Sequence, residues 1–420
     1  MRSRKLVELF KKSSSGGEIE LLKTLKVARS NQEWEIDKVN EACYLEMISR
    51  LRESAPSISS NKRLANRFKR SYVETFNMAA SAFEVQRPDI VYLYNGRFLQ
   101  ERAVADCCAS LGIRVIFFER FNPEWKSRFF LFEKPTHSPS YRSQIMQSYG
   151  IHLKESSPED FDTMGEKWFR DRQLGITQSF TKNQNEKPIL KDLGKFVVFF
   201  HSSEDELITT DLTSIYWGTQ IEAIEKLIKV MLETPGLRLV IRIHPNLKYK
   251  SKKEIAQWAQ YEDRLHREHD WITFLNHENR MNSYDLILGA RSVITVGSTI
   301  GVEAAFMGKR SILIGRAFHE EMGITSNPKN VEELSSLLTS DLNENEKSEV
   351  RDKALNYANF HISGGQQFKE LKYSGSPFEE YFWEDSRVSR PYLIRAIFRI
   401  ESKLRSIFLA ISNRIGRVNV

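Results

Sequence analysis

Cysteine is nearly absent. The 420-residue chain has three, Cys43, Cys107 and Cys108, and their spacing fits neither a metal site nor a disulfide framework. Cys107 and Cys108 are adjacent in the helical stretch ERAVADCCASLG, which assigns them to packing. Long apolar runs are missing as well. No stretch of about 18 apolar residues occurs, so no membrane-spanning helix is expected. The basic start MRSRKLVELFKKSSSGG lacks the apolar core of a secretory signal. Together these absences lead to an expectation of cytoplasmic residence. There is also no P-loop, no nucleophile elbow and no zinc-type cluster. The sole Asp-x-Asp is Asp160-Phe161-Asp162, preceded by Ser157 and Pro158. A serine cap, a proline in the first turn and acids near a helix N-terminus explain it structurally. No metal and no cofactor is therefore expected.

What remains is 40% hydrophobic and 28% charged, the balance of a globular chain long enough for two domains. The formal charge of +7 is concentrated in one place. From Asp385 to Val420 there are eight basic residues (Arg387, Arg390, Arg395, Arg399, Lys403, Arg405, Arg414 and Arg417) against Asp385 and Glu401, a net of +6. The rest is nearly neutral, which argues against a nucleic-acid binder. Within the tail, Leu393, Ile394, Ile397, Ile400, Leu404, Ile407, Phe408, Ile411 and Ile415 recur at helical spacing between the basic residues. That pattern predicts a basic amphipathic helix resting on an anionic membrane surface. A terminal helix packed across the two domains is the other reading.

The first eighty or so residues show helical spacing, broken at APSISSN, and no convincing opening strand. Beyond them the strand–helix alternation is legible. PDIVYLYNG (88–96), a helix in RFLQERAVADCCASLG, and IRVIFFER (113–120) form one block. A polar stretch, 175–195, reads as linker. The second block contains FVVFF (196–200), a helix near 216–233, LRLVIRIHP (237–245), WITFLN (271–276), a helix at SYDLILGA, SVITVG (292–297), a helix at STIGVEAAFMG, RSILIG (310–315) and a helix at NVEELSSLLTS. Such alternation predicts an α/β protein of two Rossmann-like domains facing a cleft. The expected boundaries are 1–180, a linker at 181–194, 195–375, and the tail at 376–420.

The chemistry-bearing residues cluster at predicted strand ends. Gly297, Ser298 and Thr299 lie where a strand meets a helix, a place where backbone N–H groups and hydroxyls can hold a phosphate. Glu303 follows in the helix, placed to accept bonds from vicinal ribose hydroxyls. A plain N-cap is the bland alternative for Ser298. Arg242 and His244 end a neighbouring strand, two residues apart and so on one face. Beside the Gly-Ser-Thr corner they suggest a diphosphate or phosphodiester site. His201, Ser202 and Ser203 follow the first strand of the second block, either facing the ligand or capping the next helix.

RIHP and SYDLILGARSVITVGSTIGVEAAFMGKRSILIG resemble the capsule and surface polysaccharide synthesis proteins, glycosyltransferases of the two-Rossmann-domain (GT-B) type that include bacterial Kdo transferases. Several bacterial sialyltransferases share a His-Pro pair and a later Ser-Ser/Thr pair. The resemblance covers roughly residues 88–120 and 195–320. It implies that His244, Ser298 and Thr299 hold the donor's phosphate and that Glu303 meets the ribose. It also implies a nucleotide-sugar donor, with a CMP-sugar slightly favoured over a UDP-sugar, and a glycan or lipid-linked acceptor. Polysaccharide-assembly proteins are further expected partners.

On the acceptor side LYNGRFLQERAVADCCASLGI is similar to the same group, with Asn95-Gly96 turning the chain and Arg97 opening a helix. The related sialyltransferases carry an acidic pair before that glycine, where this chain has Tyr94-Asn95. Glu101, one turn into the helix beside Arg97 and Arg102, is the substitute expected as catalytic base. Three other readings share these features: a sugar-nucleotide 2-epimerase, a CDP-alcohol phosphotransferase, and an inactive GT-B assembly subunit.

Overall fold

The computed structural model describes residues 36–119, 128–136, 138–176, 194–234, 236–367, 371–374, 380–383 and 386–387. The expected tail helix lies outside them. Two compact units divide the chain. One takes in residues up to 118 together with 132–360, and the other 119–131 and everything after 360.

In the larger unit, α1 (Ile36–Leu51) and α2 (Lys62–Gln86) precede β1 (Ile90–Tyr94). Then come α3 (Leu99–Ser110), β2 (Arg114–Glu119), α4 (Pro139–Ser156) and α5 (Pro158–Gln173); β3 (Arg128–Phe132), between β2 and α4 in the chain, belongs to the smaller unit except for its last residue. β1 and β2 pair in parallel, Ile90 opposite Arg114 through Tyr94 opposite Phe118. Only one face of β1 is covered: Val91 and Leu93 are buried while Ile90, Tyr92 and Tyr94 are exposed. Ser157 does occupy the N-cap of α5 ahead of Pro158, but its side chain makes no capping bond.

The second half is built on β4 (Phe196–Phe200). All five of its residues are buried, because an apolar run such as FVVFF needs cover on both faces. It is followed by α6 (Glu204–Thr209), α7 (Gln220–Leu232), β5 (Arg238–Arg242), a 3₁₀ turn (Pro245–Tyr249), α8 (Lys252–Glu268) and β6 (Ile272–Leu275). After these come α9 (Ser283–Gly289), β7 (Ser292–Thr295), α10 (Ile300–Phe306), β8 (Arg310–Leu313), α11 (Val331–Thr339) and α12 (Glu344–Ser363). The five strands form one sheet in the order β6-β5-β4-β7-β8, every pair parallel.

Alternate residues along these strands serve two separate cores. Val197, Phe199, Ile241, Ile294 and Ile312 face Ala223, Ile224, Leu227 and Met231 of α7, Trp258 and Leu265 of α8, and Leu334 and Leu338 of α11. Phe196, Val198, Phe200, Val240 and Val293 face Tyr284, Leu286 and Ile287 of α9 and Ala304 of α10. The caps are local. Thr219 and Glu222 form a capping box on α7, Ser251 caps α8, Asn282 caps α9 and Asn330 caps α11.

The sequence reading did not include α8 or α12. α8 buries only Glu254, Trp258, Tyr261 and Leu265 in seventeen residues, too sparse a stripe to stand out. α12 packs onto α4 and α5. A Cβ on Gly150 would stand 2.5 Å from Asn356 and one on Gly165 2.6 Å from Leu355. Asn359 Nδ2 donates to the Phe161 carbonyl at 2.8 Å.

The smaller unit holds short antiparallel pieces. Arg128 and Phe129 pair with Gln367 and Gln366 of β9 (Gln366–Gln367). β10 (Leu371–Ser374), β11 (Glu380–Trp383) and β12 (Ser386–Arg387) form a three-stranded sheet in that order. The α/β class expected from the sequence is what the parallel sheets show.

Two predictions arise from this packing. A Cβ at Gly315 would lie 1.8 Å from the Val296 carbonyl oxygen, so Gly315→Ala must push apart the loops leaving β7 and β8. It is expected to lower unfolding free energy by about 3 kcal/mol, and an unchanged denaturation midpoint would contradict that close approach. His319, 1% exposed against the Tyr357 ring, is the second. Burial lowers its pKa from 6.5 to about 4. Between those values the unfolded chain takes up a proton that the folded chain refuses, so stability present above pH 6.5 is lost as pH falls. The loss from this group by pH 4 is about 3 kcal/mol. Unfolding measured from pH 7 down to 4.5 should fall less steeply in His319→Gln than in the wild type.

Candidate functional site

β4 sits at the centre of its sheet. The chain builds outward through β5 and β6 on one side, then returns to lay β7 and β8 on the other. Where strand order reverses, the loops leaving the two adjacent strands diverge and open a crevice at their carboxyl ends. Here those loops are His201–Ser203 after β4 and Val296–Thr299 after β7. His244 follows β5, the other neighbour of β4.

His201 is 4% exposed, and its Nδ1 accepts the backbone N–H of His244 at 3.3 Å. Burial first, then the charges of His244 and Lys250, hold its pKa well below the usual imidazole value. The ring is therefore neutral with its proton on Nε2, an atom that is buried and lacks a hydrogen-bond partner. His244 repeats the arrangement: its Nδ1 accepts Asn246 N–H at 3.1 Å and caps the 3₁₀ turn. Burial, with lesser contributions from Lys250 and Arg242, pulls its pKa to about 4. It too is a neutral imidazole whose proton resides on Nε2, a hydrogen-bond donor at neutral pH.

Arg242 serves a different end from the one its spacing suggested. The strand stops at Arg242, and its guanidinium donates to the carbonyls of Asn276 at 2.9 Å and Asn279 at 2.8 Å. It ties the loop after β6 to the end of β5, and burial pushes its pKa down to about 10. Ser202 is likewise fixed through its backbone. Its N–H donates to Gln220 Oε1 at 2.7 Å and its carbonyl accepts from Gln220 Nε2 at 2.9 Å, leaving its buried Oγ unpartnered. Ser203 stands at the N-cap of α6, and its side chain makes no capping bond.

Gly297 has a packing reason. A Cβ there would lie 2.8 Å from both the Arg316 carbonyl oxygen and Leu207 Cδ2, so the neighbouring chain already occupies that space. Ser298 and Thr299 are half-buried. Ser298 Oγ accepts Ile300 N–H at 3.3 Å, and Thr299 Oγ1 accepts from Arg172 Nη2 at 3.0 Å. Glu303 is not open to a ribose. It is 2% exposed and both carboxylate oxygens are engaged. Arg172 donates to Oε1 from Nε at 3.0 Å and Nη2 at 2.6 Å, and the Tyr284 hydroxyl donates to Oε2. Burial works against the Arg172 charge, but Glu303 more than offsets it and keeps the pKa above the ordinary value.

The acceptor-side residues form a separate group. Asn95 has φ 39° and Gly96 φ 76°, the left-handed conformation of a tight turn. Asn95 Oδ1 accepts Arg97 N–H at 2.8 Å, its carbonyl accepts from Thr136, and its N–H donates to Phe118 O. The Arg97 guanidinium lies over the Phe98 ring at 4.9 Å, and its carbonyl accepts from Arg102 Nε at 3.1 Å. Glu101 pairs with neither arginine, and its Oε2 is buried without a partner. Burial, with a smaller push from Glu46, raises its pKa. No hydrogen bond among the described residues joins Asn95, Arg97 or Glu101 to the groups at β4, β5 and β7.

Four contributors escaped the sequence reading: Arg172, Tyr284, Lys250 and Asp205. Lys250 and Asp205 form an ion pair with both side chains at least 97% buried. Arg52 joins Asp205 at 3.5 Å, and Ser54 N–H donates to Glu254 at 3.0 Å, binding the end of α1 to this loop. Among the described residues no group of three His, Cys, Asp or Glu is placed to hold a metal ion.

Known structures resemble this fold loosely. The beta Kdo 2,4 transferase KpsC of Thermosulfurimonas dismutans is 13% identical, over 64% of this chain and 78% of that one, with a TM-score of 0.39. S. aureus MnaA, in a co-structure with UDP, is 14% identical over 78% and 90%, with a TM-score of 0.33. The UDP-GlcNAc 2-epimerase of Neisseria meningitidis, bound to UDP-GlcNAc, is 14% identical over 70% and 80%, at 0.35. Similarity at this level carries no argument about chemistry. No curated protein gives a sequence match. The family model described as capsule polysaccharide biosynthesis protein does match, over residues 175–350, a span that takes in β4 to β8 and the loops at their carboxyl ends. Over that segment, somewhat less than half of its length, the chain is similar to the capsule polysaccharide biosynthesis protein family.

Proposed function

We propose that the protein is a glycosyltransferase that moves a sugar from a nucleotide-activated donor to a growing capsular polysaccharide or lipid-linked glycan. One observation carries the reading. The strand order reverses between β4 and β7, and the neutral imidazole of His244 and the hydroxyls of Ser298 and Thr299 follow strand ends on that side of the sheet, where α/β sheets take their ligands. As the bond to the sugar breaks, the leaving nucleotide gathers negative charge on its phosphate. Fixed donors from His244, Ser298 and Thr299 stabilise that charge without reorganising, so the reaction needs no metal. Glu101 takes the acceptor's proton. Its raised pKa brings it nearer the working pH, which is where a general base is most effective. A CMP-sugar is preferred to a UDP-sugar on the family resemblance alone.

The acceptor's lipid places the enzyme on the inner face of the cell membrane. No helix among the described residues is long and apolar enough to cross a membrane. Contact is made by the basic residues of the C-terminal tail.

Two experiments test this. In a thermal-shift panel of CMP, CDP, UDP, GDP and ADP, saturating CMP or UDP is expected to raise the melting temperature by about 2–4 °C. His244→Ala and Ser298→Ala should lose the shift, and a panel in which no nucleotide stabilises the protein would remove the donor site. Co-sedimentation with vesicles containing an acidic phospholipid tests the tail. Replacing Arg395, Arg399, Lys403 and Arg405 by Glu should weaken binding at least tenfold, since each basic residue near such a surface contributes about 1 kcal/mol.

A further inference from the structure

Arg172 lies in α5, three residues before the segment that matches the family, yet it meets the N-cap and the first turn of α10. Its side chain is immobilised on several sides. The fork of Nε and Nη2 grips Glu303 Oε1 at 3.0 and 2.6 Å, and the guanidinium lies 4.4 Å from the centre of the Trp168 ring. Glu303 is itself fixed, because Tyr284 holds its other oxygen. One further N–H of Arg172 remains directed at a third partner, Thr299 Oγ1, at 3.0 Å.

That last bond has a directional consequence. A hydroxyl accepts through its lone pairs and has one proton to give, whereas a guanidinium has only protons and cannot accept. With a lone pair of Thr299 Oγ1 tied to Arg172, the Thr299 proton must point to some other acceptor, and the described residues supply none. Ser298 is in the same condition, since its Oγ accepts Ile300 N–H. Both residues are only half-buried, so a ligand can reach them. Two adjacent hydroxyls with their protons turned outward suit an anion.

We propose that Arg172 is a positioning residue of the donor site, holding the Thr299 hydroxyl by its lone pair so that its proton is presented to the donor's phosphate. This rests on the nucleotide-donor reading above. Arg172 does not touch the donor; it acts through Thr299. Glu303 becomes the clamp that holds Arg172, which explains why a carboxylate so close to the site is closed to solvent.

The test is a double-mutant cycle on nucleotide affinity, measured by calorimetric titration of the full-length protein with CMP and with UDP. Arg172→Lys keeps a charge for Glu303 but loses the planar fork. It should weaken nucleotide binding about tenfold, the effect of misplacing one hydrogen bond to a charged group. Thr299→Val should lose a similar factor and Thr299→Ser should restore it. If Arg172 acts through Thr299, the double variant Arg172→Lys with Thr299→Val binds no worse than either single one. Losses that multiply, or an Arg172→Lys protein that binds like wild type, overturn the proposal and leave the donor site standing. A wild-type chain that binds neither nucleotide removes the donor site and the proposal together. Should Arg172→Lys fail to fold, the Val and Ser variants of Thr299 still decide: equal affinity in both would show that the hydroxyl does nothing for Arg172 to position.

Discussion

The parallel pairing of β4 with both β5 and β7 is the constraint on which the rest depends. It buries FVVFF on both faces, and it forces the chain to leave the strand on one side and come back on the other. That reversal separates the loops leaving β4 and β7, and the candidate site residues follow strand ends. His201 continues from β4, His244 from just beyond β5, and Ser298 and Thr299 from β7. Crowding does the rest. Gly297 and Gly315 let the loops after β7 and β8 and helix α6 close to van der Waals contact, which a side chain at either position would prevent.

The electrostatics of the crevice follow from how its charges are compensated. Lys250 and Arg172 are buried cations, and each is matched by a buried carboxylate, Asp205 and Glu303. Unpaired, either would be costly inside the fold. Paired, they are compensated within the fold and not by solvent. Lys250 still matters to its neighbours, since its charge helps keep His201 and His244 neutral. Under the proposed function, neutral hydrogen-bond donors held from behind would suit a phosphate that gains charge as its bond to the sugar breaks.

The opening half is thinner. β1 and β2 supply a parallel pair with one face of β1 exposed, and the turn at Asn95-Gly96 is fully satisfied by its own backbone partners. Among the described residues there, Glu101 is the one group with both an unsatisfied buried atom and a raised pKa. The contrast with the tightly bonded Glu303 is instructive. Of the two glutamates singled out by their positions, one is clamped by partners and the other is held apart from them.

By itself the sequence determined the strands and most helices of the second half. Apolar runs of four or five residues between turn formers have few other ways to be buried, and the caps that start the helices lie within a few residues. It also marked the strand ends carrying His201, His244, Ser298 and Thr299. The tertiary structure alone decided what those residues do. Arg172 and Glu303 are 131 residues apart, so no spacing could show that a guanidinium from α5 closes the carboxylate and takes the Thr299 lone pair. Arg242 and His244 share a strand pattern, yet the strand ends between them and sends the arginine to two carbonyls of a neighbouring loop. α8 escaped because its buried stripe includes only three apolar residues in seventeen, and α12 because its buried residues crowd into 354–360 on more than one face. Local chemistry wrote the elements, and long-range packing chose their partners.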